Sequence, residues 1–216
     1  SITDGANNTV MGDAVADAIT DGHDNVIIGS GAGTNTTSVG FSVIIGRKAG
    51  QANLTAAADG TIAIGYEALN DLTTGARNTA VGYQALDVLP DGSDNTAIGY
   101  NALGAANSSD ADHNTAIGVN AGDVITDGYQ NTIIGSGADP SASGGIRQIV
   151  IGYAVTGQGN NTATIGDAAM TALYAGSDSG AVVHCGGIKF PASQVAVADA
   201  NTLDDYEEGT WTPQFF

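Results

Sequence analysis

The sequence predicts an all-β chain, a parallel β-solenoid of about ten coils, and three observations carry that expectation. A glycine preceded by a short apolar run recurs at nearly fixed spacing. The residue columns around it keep their chemical type from coil to coil, and the composition is that of a packed β protein. Internal repetition takes precedence over local propensity, because a period of this length defines the architecture.

The recurring glycines are Gly12, Gly29, Gly46, Gly65, Gly82, Gly99, Gly118, Gly135, Gly152 and Gly166. Successive steps are 17, 17, 19, 17, 17, 19, 17, 17 and 14 residues, so a triplet of 17, 17 and 19 is used twice and begins again. Residues 18–33, AITDGHDNVIIGSGAG, return as VITDGYQNTIIGSGAD at 124–139, two triplets later. One repeat therefore forms one coil. At a rise of about 4.8 Å per coil, ten coils make a rod of roughly 50 Å.

Each column has a physical reading. The residue before the marker glycine is always apolar, from Met11 and Ile28 to Ile151 and Ile165. Two residues earlier stand Thr9, Val26, Val43, Ile62, Thr79, Thr96, Thr115, Thr132, Ile149 and Ala163, nearly all β-branched. Period-two spacing of such residues places these two columns on the core face of a strand. The column between them, Val10, Ile27, Ile44, Ala63, Ala80, Ala97, Ala116, Ile133, Val150 and Thr164, is apolar as well. Strands apolar on both faces are buried on both faces. The middle column is thus expected to meet parallel copies of the chain in cyclic symmetry. It does not set their number.

Three residues after the marker a small residue recurs, mostly alanine (Ala32, Ala49, Ala68, Ala85, Ala102), which suits a narrow interior. The invariant glycine implies a positive φ or a close backbone approach. Asp-Gly pairs at Asp4, Asp21, Asp91 and Asp127 supply turns that return the chain. Four residues before the marker lies an asparagine column: Asn8, Asn25, Asn78, Asn95, Asn114 and Asn131. Amides stacked at the strand spacing can hydrogen-bond along the column, so it reads as a structural ladder.

Composition excludes several function classes. Of 216 residues only 13% are charged, yet the net charge is −18 with five Lys and Arg in all. Phosphate backbones and anionic membranes need basic surface, so neither nucleic acid nor a membrane is an expected partner. No apolar run approaches the about 18 residues that span a bilayer. No secretory signal is read in the chain, which opens on Ser1, and the single Cys185 forms no internal disulfide. The 32 glycines are about twice the usual share.

Candidate chemistry is sparse. Tyr66, Tyr83 and Tyr100, with Tyr153 in the same register, could form a glycan ladder, although a row of packed aromatics is the plainer reading. Glu67, Gln84, Asn101 and Asn120 follow them. Calcium needs six to eight oxygens at fixed spacing, and the nonapeptide calcium-roll pattern is absent. His23, His113 and His184 occupy different registers, so no metal and no cofactor is expected. Acids fall in turns, without the paired carboxylates of a glycoside hydrolase, and no catalytic residue is assigned. The chain is expected not to be an enzyme.

The string NTAIGYNALG at 95–104, with NTAVGYQAL and NTAIGVNAG, resembles the head repeats of trimeric autotransporter adhesins and, more closely, the stalk repeats of bacteriophage tail fibres and tailspikes. NTLDDYEEGTWTP at 201–213 resembles a connector common in phage tail proteins. The resemblance implies a left-handed parallel β-roll assembled as a homotrimer. The repeat domain is expected over 1–169 and a connector or the start of a further module over 170–216, where Asp204, Asp205, Glu207 and Glu208 read as a solvated loop. The implied function is a structural segment of a tail fibre or tailspike, a rigid stalk in the virion tail. Its partners would be itself, other tail proteins and, through another domain, a host-surface glycan or receptor. The alternative is the head of a bacterial surface adhesin that binds host matrix or glycans, and a polysaccharide depolymerase ranks last.

Overall fold

The structure, a computed structural model, describes residues 5–170. The connector expected over 170–216, with Cys185, His184 and the string at 201–213, lies outside the described residues except for Met170. Ten strands of three residues each define the coils: β1 (Thr9–Met11), β2 (Val26–Ile28), β3 (Val43–Ile45), β4 (Ile62–Ile64), β5 (Thr79–Val81), β6 (Thr96–Ile98), β7 (Thr115–Ile117), β8 (Thr132–Ile134), β9 (Ile149–Ile151) and β10 (Ala163–Ile165). They pair in sequence order as one ten-stranded sheet, every pair parallel. The register never slips: Thr79 faces Thr96, Ala80 faces Ala97 and Val81 faces Ile98, and so on along the sheet. The chain is a parallel β-solenoid.

Backbone bonding between coils continues beyond the strands. At the corner after the marker, Gln84 N–H donates to Tyr66 O at 2.9 Å and Leu86 N–H to Ala102 O at 3.1 Å. Buried backbone groups must find partners, and here each coil supplies those of its neighbours. The corners themselves need left-handed backbone. The residue five before the marker has positive φ in every coil, including Asp24, Arg77, His113 and Arg147. Two residues after the marker, Glu67, Gln84, Asn101 and Asn120 do the same. Single αL residues cost about 1–2 kcal/mol outside glycine, so the ladders on either side must hold these corners closed.

The marker glycines meet both demands named for them. From Gly12 to Gly152 their φ lies between +132° and +146°. A Cβ on Gly29 would stand 2.5 Å from Gly46 O, and one on Gly99 would run into Gly118 O. Backbone of the next coil fills the space, and no side chain can be accommodated.

The strand faces are the reverse of the sequence expectation. The middle column points into the coil: Ile27, Ile44, Ala63, Ala80, Ala97, Ala116, Ile133 and Val150 are all 0% exposed. The columns on either side, expected in the core, point out, with Ile98 40% and Ile117 38% exposed. Most strands are apolar at the middle and last positions and carry Thr, Val or Ile at the first, so alternation carries no clear direction. Size does. Where the middle residue is Ile27 or Ile44, the inward corner four residues past the marker is Gly33 or Gly50. Where it is Ala63, Ala80 or Ala97, the corner is Leu69, Leu86 or Leu103, each fully buried. A Cβ on Gly33 would lie 3.3 Å from Ile27 Cγ2. In coils 2 to 6 interior volume is conserved by this exchange, as close packing requires. In coil 7, Ala116 faces Gly122, and Ile125 and Leu103 of coil 6 approach that space.

The asparagine column is a continuous buried ladder with two interruptions. Asn95 Oδ1 accepts Asn114 N–H at 2.9 Å and Asn114 Nδ2 at 3.2 Å, while Asn95 Nδ2 donates to Ala111 O at 2.7 Å. The pattern repeats from Asn78 to Asn95 and from Asn114 to Asn131. Ser42 and Thr61 stand in for Asn in coils 3 and 4, and Ser42 Oγ still accepts Thr61 N–H at 3.1 Å. At the far end Gln148 N–H donates to Asn131 Oδ1 at 2.9 Å, and its amide turns to Ser141 and Asn160. The two 19-residue coils place their extra residues in one corner, the first forming a short 3-10 helix over Ala56–Ala58. Both close it alike: Asp59 Oδ1 accepts Gly40 N–H at 2.6 Å and Asp112 Oδ1 accepts Ser93 N–H at 2.5 Å.

Two outcomes follow for stability. Asn95→Ala strands the Asn114 backbone N–H and Ala111 O, leaves the Asn114 side-chain amide with Gly128 O alone, and is expected to cost about 2–3 kcal/mol in denaturant unfolding. Asn95→Ser, which reproduces the Ser42 arrangement, is expected to recover part of that loss. Ala80→Ile is expected to destabilise by about 1–3 kcal/mol through overpacking. Adding Leu86→Gly, which recreates the Ile44 and Gly50 pairing, is expected to restore part of it, so the two changes couple favourably in a double-mutant cycle. Additive costs would show that the two columns do not share one volume.

Candidate functional site

Three surfaces of the rod carry residues beyond those that stacking requires. The first is the outer face of the sheet. Its two columns run along the whole solenoid, one of Met11, Val81 and isoleucines, the other of Thr, Val, Ile and Ala163. Met11 is 63% exposed and Ile149 44%. Contiguous apolar surface of this kind marks an interaction face.

The second is the wall after the marker. Tyr66 and Tyr83 stack with centroids 4.9 Å apart at 19°, and Tyr83 and Tyr100 at 5.4 Å and 15°. Arg47 lies over the outer face of Tyr66, 5.6 Å from its centroid. Val119 follows Tyr100 in the same column. Because the coils stack along the axis, the rings are turned to one another. Saccharide rings bind aromatic faces, and both faces of Tyr83 are taken by its neighbours. Tyr153 stands apart from the three, 78% exposed.

A polar row lies beside the tyrosines. Lys48 Nζ approaches Glu67 Oε1 at 3.5 Å, and Gln84 Nε2 donates to Glu67 Oε2 at 3.0 Å. Burial pushes the Glu67 carboxyl up, but donors on Tyr66, Gln84 and Lys48 more than offset this and hold it below the usual value. The hydrogen bond to Glu67 raises the Tyr66 phenol in turn. At the opposite corner Arg77 forms a bidentate pair with Asp94, at 2.6 and 2.7 Å, and His113 Nε2 lies 3.7 Å from Asp94. Exposed pairs of this kind contribute little to stability, because solvent screens them.

The third is a set of half-buried carboxylates that the sequence does not bring out. Asp87, Asp123 and Asp139 sit on the wall past the αL corner, and burial is the main cause that raises each carboxyl. Asp139 is pushed up to about 6, with Asp123 of the coil before as the second cause. Asp87 Oδ1 and Asp139 Oδ1 are enclosed and accept no hydrogen bond. In register the two acids of coils 7 and 8 differ by one residue, Asp123 five past its marker and Asp139 four past, so column counting separates what the fold stacks. Among the described residues no group of three or more His, Cys, Asp or Glu is placed to hold a metal ion.

Shortening a ring in the stack removes exposed packing only. Tyr83→Ala is expected to lower stability by about 1 kcal/mol, less than Gly99→Ala, which forces a Cβ into the backbone of coil 7. Melting curves of the two variants check the order. No known family model, no curated protein and no solved structure matches this chain.

Proposed function

We propose that this solenoid is a structural segment of a phage tail fibre or tailspike, a stalk of left-handed coils that works as a parallel homotrimer. In the virion tail it would hold a receptor-binding domain at a distance. The observation that carries the reading is the outward apolar stripe, continuous from Met11 to Ile165. Left in water, ten coils of exposed Ile, Val and Thr methyl groups are unfavourable. A partner that covers the stripe must repeat its own apolar side chains at the coil spacing over the same length. A second copy of the rod, parallel and in register, does so without any new sequence feature.

The uniformity of the remaining columns supports a mechanical role over a catalytic one. Gly, Asn, Ala and corner residues recur because stacking needs them. Two of the three carboxylates that depart from the pattern, Asp87 and Asp139, have one oxygen enclosed, which a substrate could not reach. The three stacked tyrosines turn their faces to one another, which favours the stalk reading over an adhesin head with a sugar platform.

Sedimentation equilibrium at micromolar concentration is expected to give a trimer. Ile98→Asp and Ile117→Asp together place charges on the outer face and are expected to yield smaller species that keep the β-rich circular dichroism spectrum. Ala97→Asp points into the coil and is expected to unfold it, since it buries an unpaired charge. A stable wild-type monomer at that concentration overturns the trimeric stalk.

A further inference from the structure

Coils 7 to 9 hold a group that neither stacking nor self-association uses. Asp139 of coil 8 presents an oxygen that is enclosed and accepts no hydrogen bond. Coil 7 brings up the Asp123 carboxylate, which raises the Asp139 carboxyl, and the Val124 amide, whose hydrogen bond to the carboxyl works the other way without cancelling burial. Coil 9 holds its main chain: Asp139 N–H donates to Val155 O at 2.9 Å, and Gly157 N–H donates to Asp139 O at 2.8 Å. Asp123 has Asn101 Nδ2 at 3.5 Å and no cation. The four basic side chains among the described residues are committed elsewhere. Arg47 and Lys48 lie against Tyr66 and Glu67, Arg77 holds Asp94, and Arg147 holds Gln130 and Asn161. Two carboxylates thus meet on one wall with burial against them and no positive charge beside them.

We propose that Asp139 and Asp123, on neighbouring coils, form a proton-uptake site that tightens coils 7 to 9 in a mildly acidic medium. One proton taken from solvent by Asp139 removes the charge from the enclosed oxygen and ends the repulsion with Asp123. A carboxyl whose pKa is higher folded than unfolded makes the folded chain bind more protons between the two values, so stability falls as pH rises through that window. For Asp139 the window runs from the ordinary 3.8 to about 6. Asp87 and Asp123 act in the same direction, whereas the lowered carboxyls of Asp24, Glu67 and Asp94 act in the opposite one. The wild-type pH profile is therefore a sum, and only a difference between variants isolates the site.

The test uses the full chain. Carboxyl-carbon NMR is expected to give Asp139 a titration midpoint well above the ordinary carboxylate range, and Asp123→Asn is expected to lower that midpoint. Melting temperatures at about pH 5 and about pH 7.5 are then compared for wild type and Asp139→Asn. Asp139→Asn is expected to gain relative to wild type by several degrees at the higher pH and to lose that gain at the lower. An Asp139 midpoint in the ordinary carboxylate range overturns the proposal. So does a change in melting temperature from Asp139→Asn that is the same at both pH values. Should Asp139→Asn fail to fold, the NMR midpoint of the wild type decides alone.

Discussion

Everything in this solenoid depends on one constraint: each coil must satisfy the backbone of the next in an unbroken register. Strands of three residues contribute few hydrogen bonds, so the corners must share the task, and they do so from αL residues on both sides of the strand. Once the register is held, every column is committed to one environment for the length of the rod. The marker glycine is the strictest case, because the carbonyl of the following coil occupies the place of its Cβ. The asparagine ladder is the complementary case. Its amides are buried, and an interior cannot tolerate them unless each finds its partners in the neighbouring coils. The ladder therefore stabilises the native register and penalises any slip by leaving several buried polar groups unpaired at once.

Packing inside the coil follows a simpler rule with the same origin. The cross-section is narrow, and the small column three residues past the marker keeps it so. Within that section the strand position and the αL corner share one volume, filled by a large side chain on one or the other, while a further buried residue such as Leu54, Leu72 or Leu89 completes the coil. Ile27 with Gly33 and Ala80 with Leu86 are two solutions to the same volume. The corner can carry leucine at φ near 50° only because its side chain then completes the core. Burial of a leucine gives about 1.5–3 kcal/mol, enough to offset the backbone strain.

Outside the coil the constraint leaves freedom, and the surfaces use it differently. The sheet face stays apolar throughout, which suits a partner of equal pitch. The tyrosine wall closes on itself, ring on ring under Arg47, and gains packing without presenting a ring face in its middle. The corner column pairs donors with acceptors between several neighbouring coils, as in Arg77 with Asp94 and Arg147 with Gln130. Asp139 and Asp123 break this economy, since their stacking sets like charge against like. A feature that costs stability at neutral pH and lowers the cost on protonation is the reason to look there for a response to acid.

The sequence by itself determined the coil, the number of coils, the parallel order of the strands and the positions that admit only glycine. These follow from spacing and from the recurrence of one residue type in one column, and they need no knowledge of direction. It did not determine which strand face is inward, because Val-Ile-Ile is apolar at every position and Thr-Ala-Ile sets Thr and Ile on the same face, so alternation points neither way. The exchange of Ile with Gly and Ala with Leu was present in the string, six residues apart, and is the signal that points the middle column inward. The meeting of Asp123 with Asp139 was not visible at all. Their registers differ by one, and only the path of the chain through the corner of coil 8 sets the two carboxylates at adjoining heights.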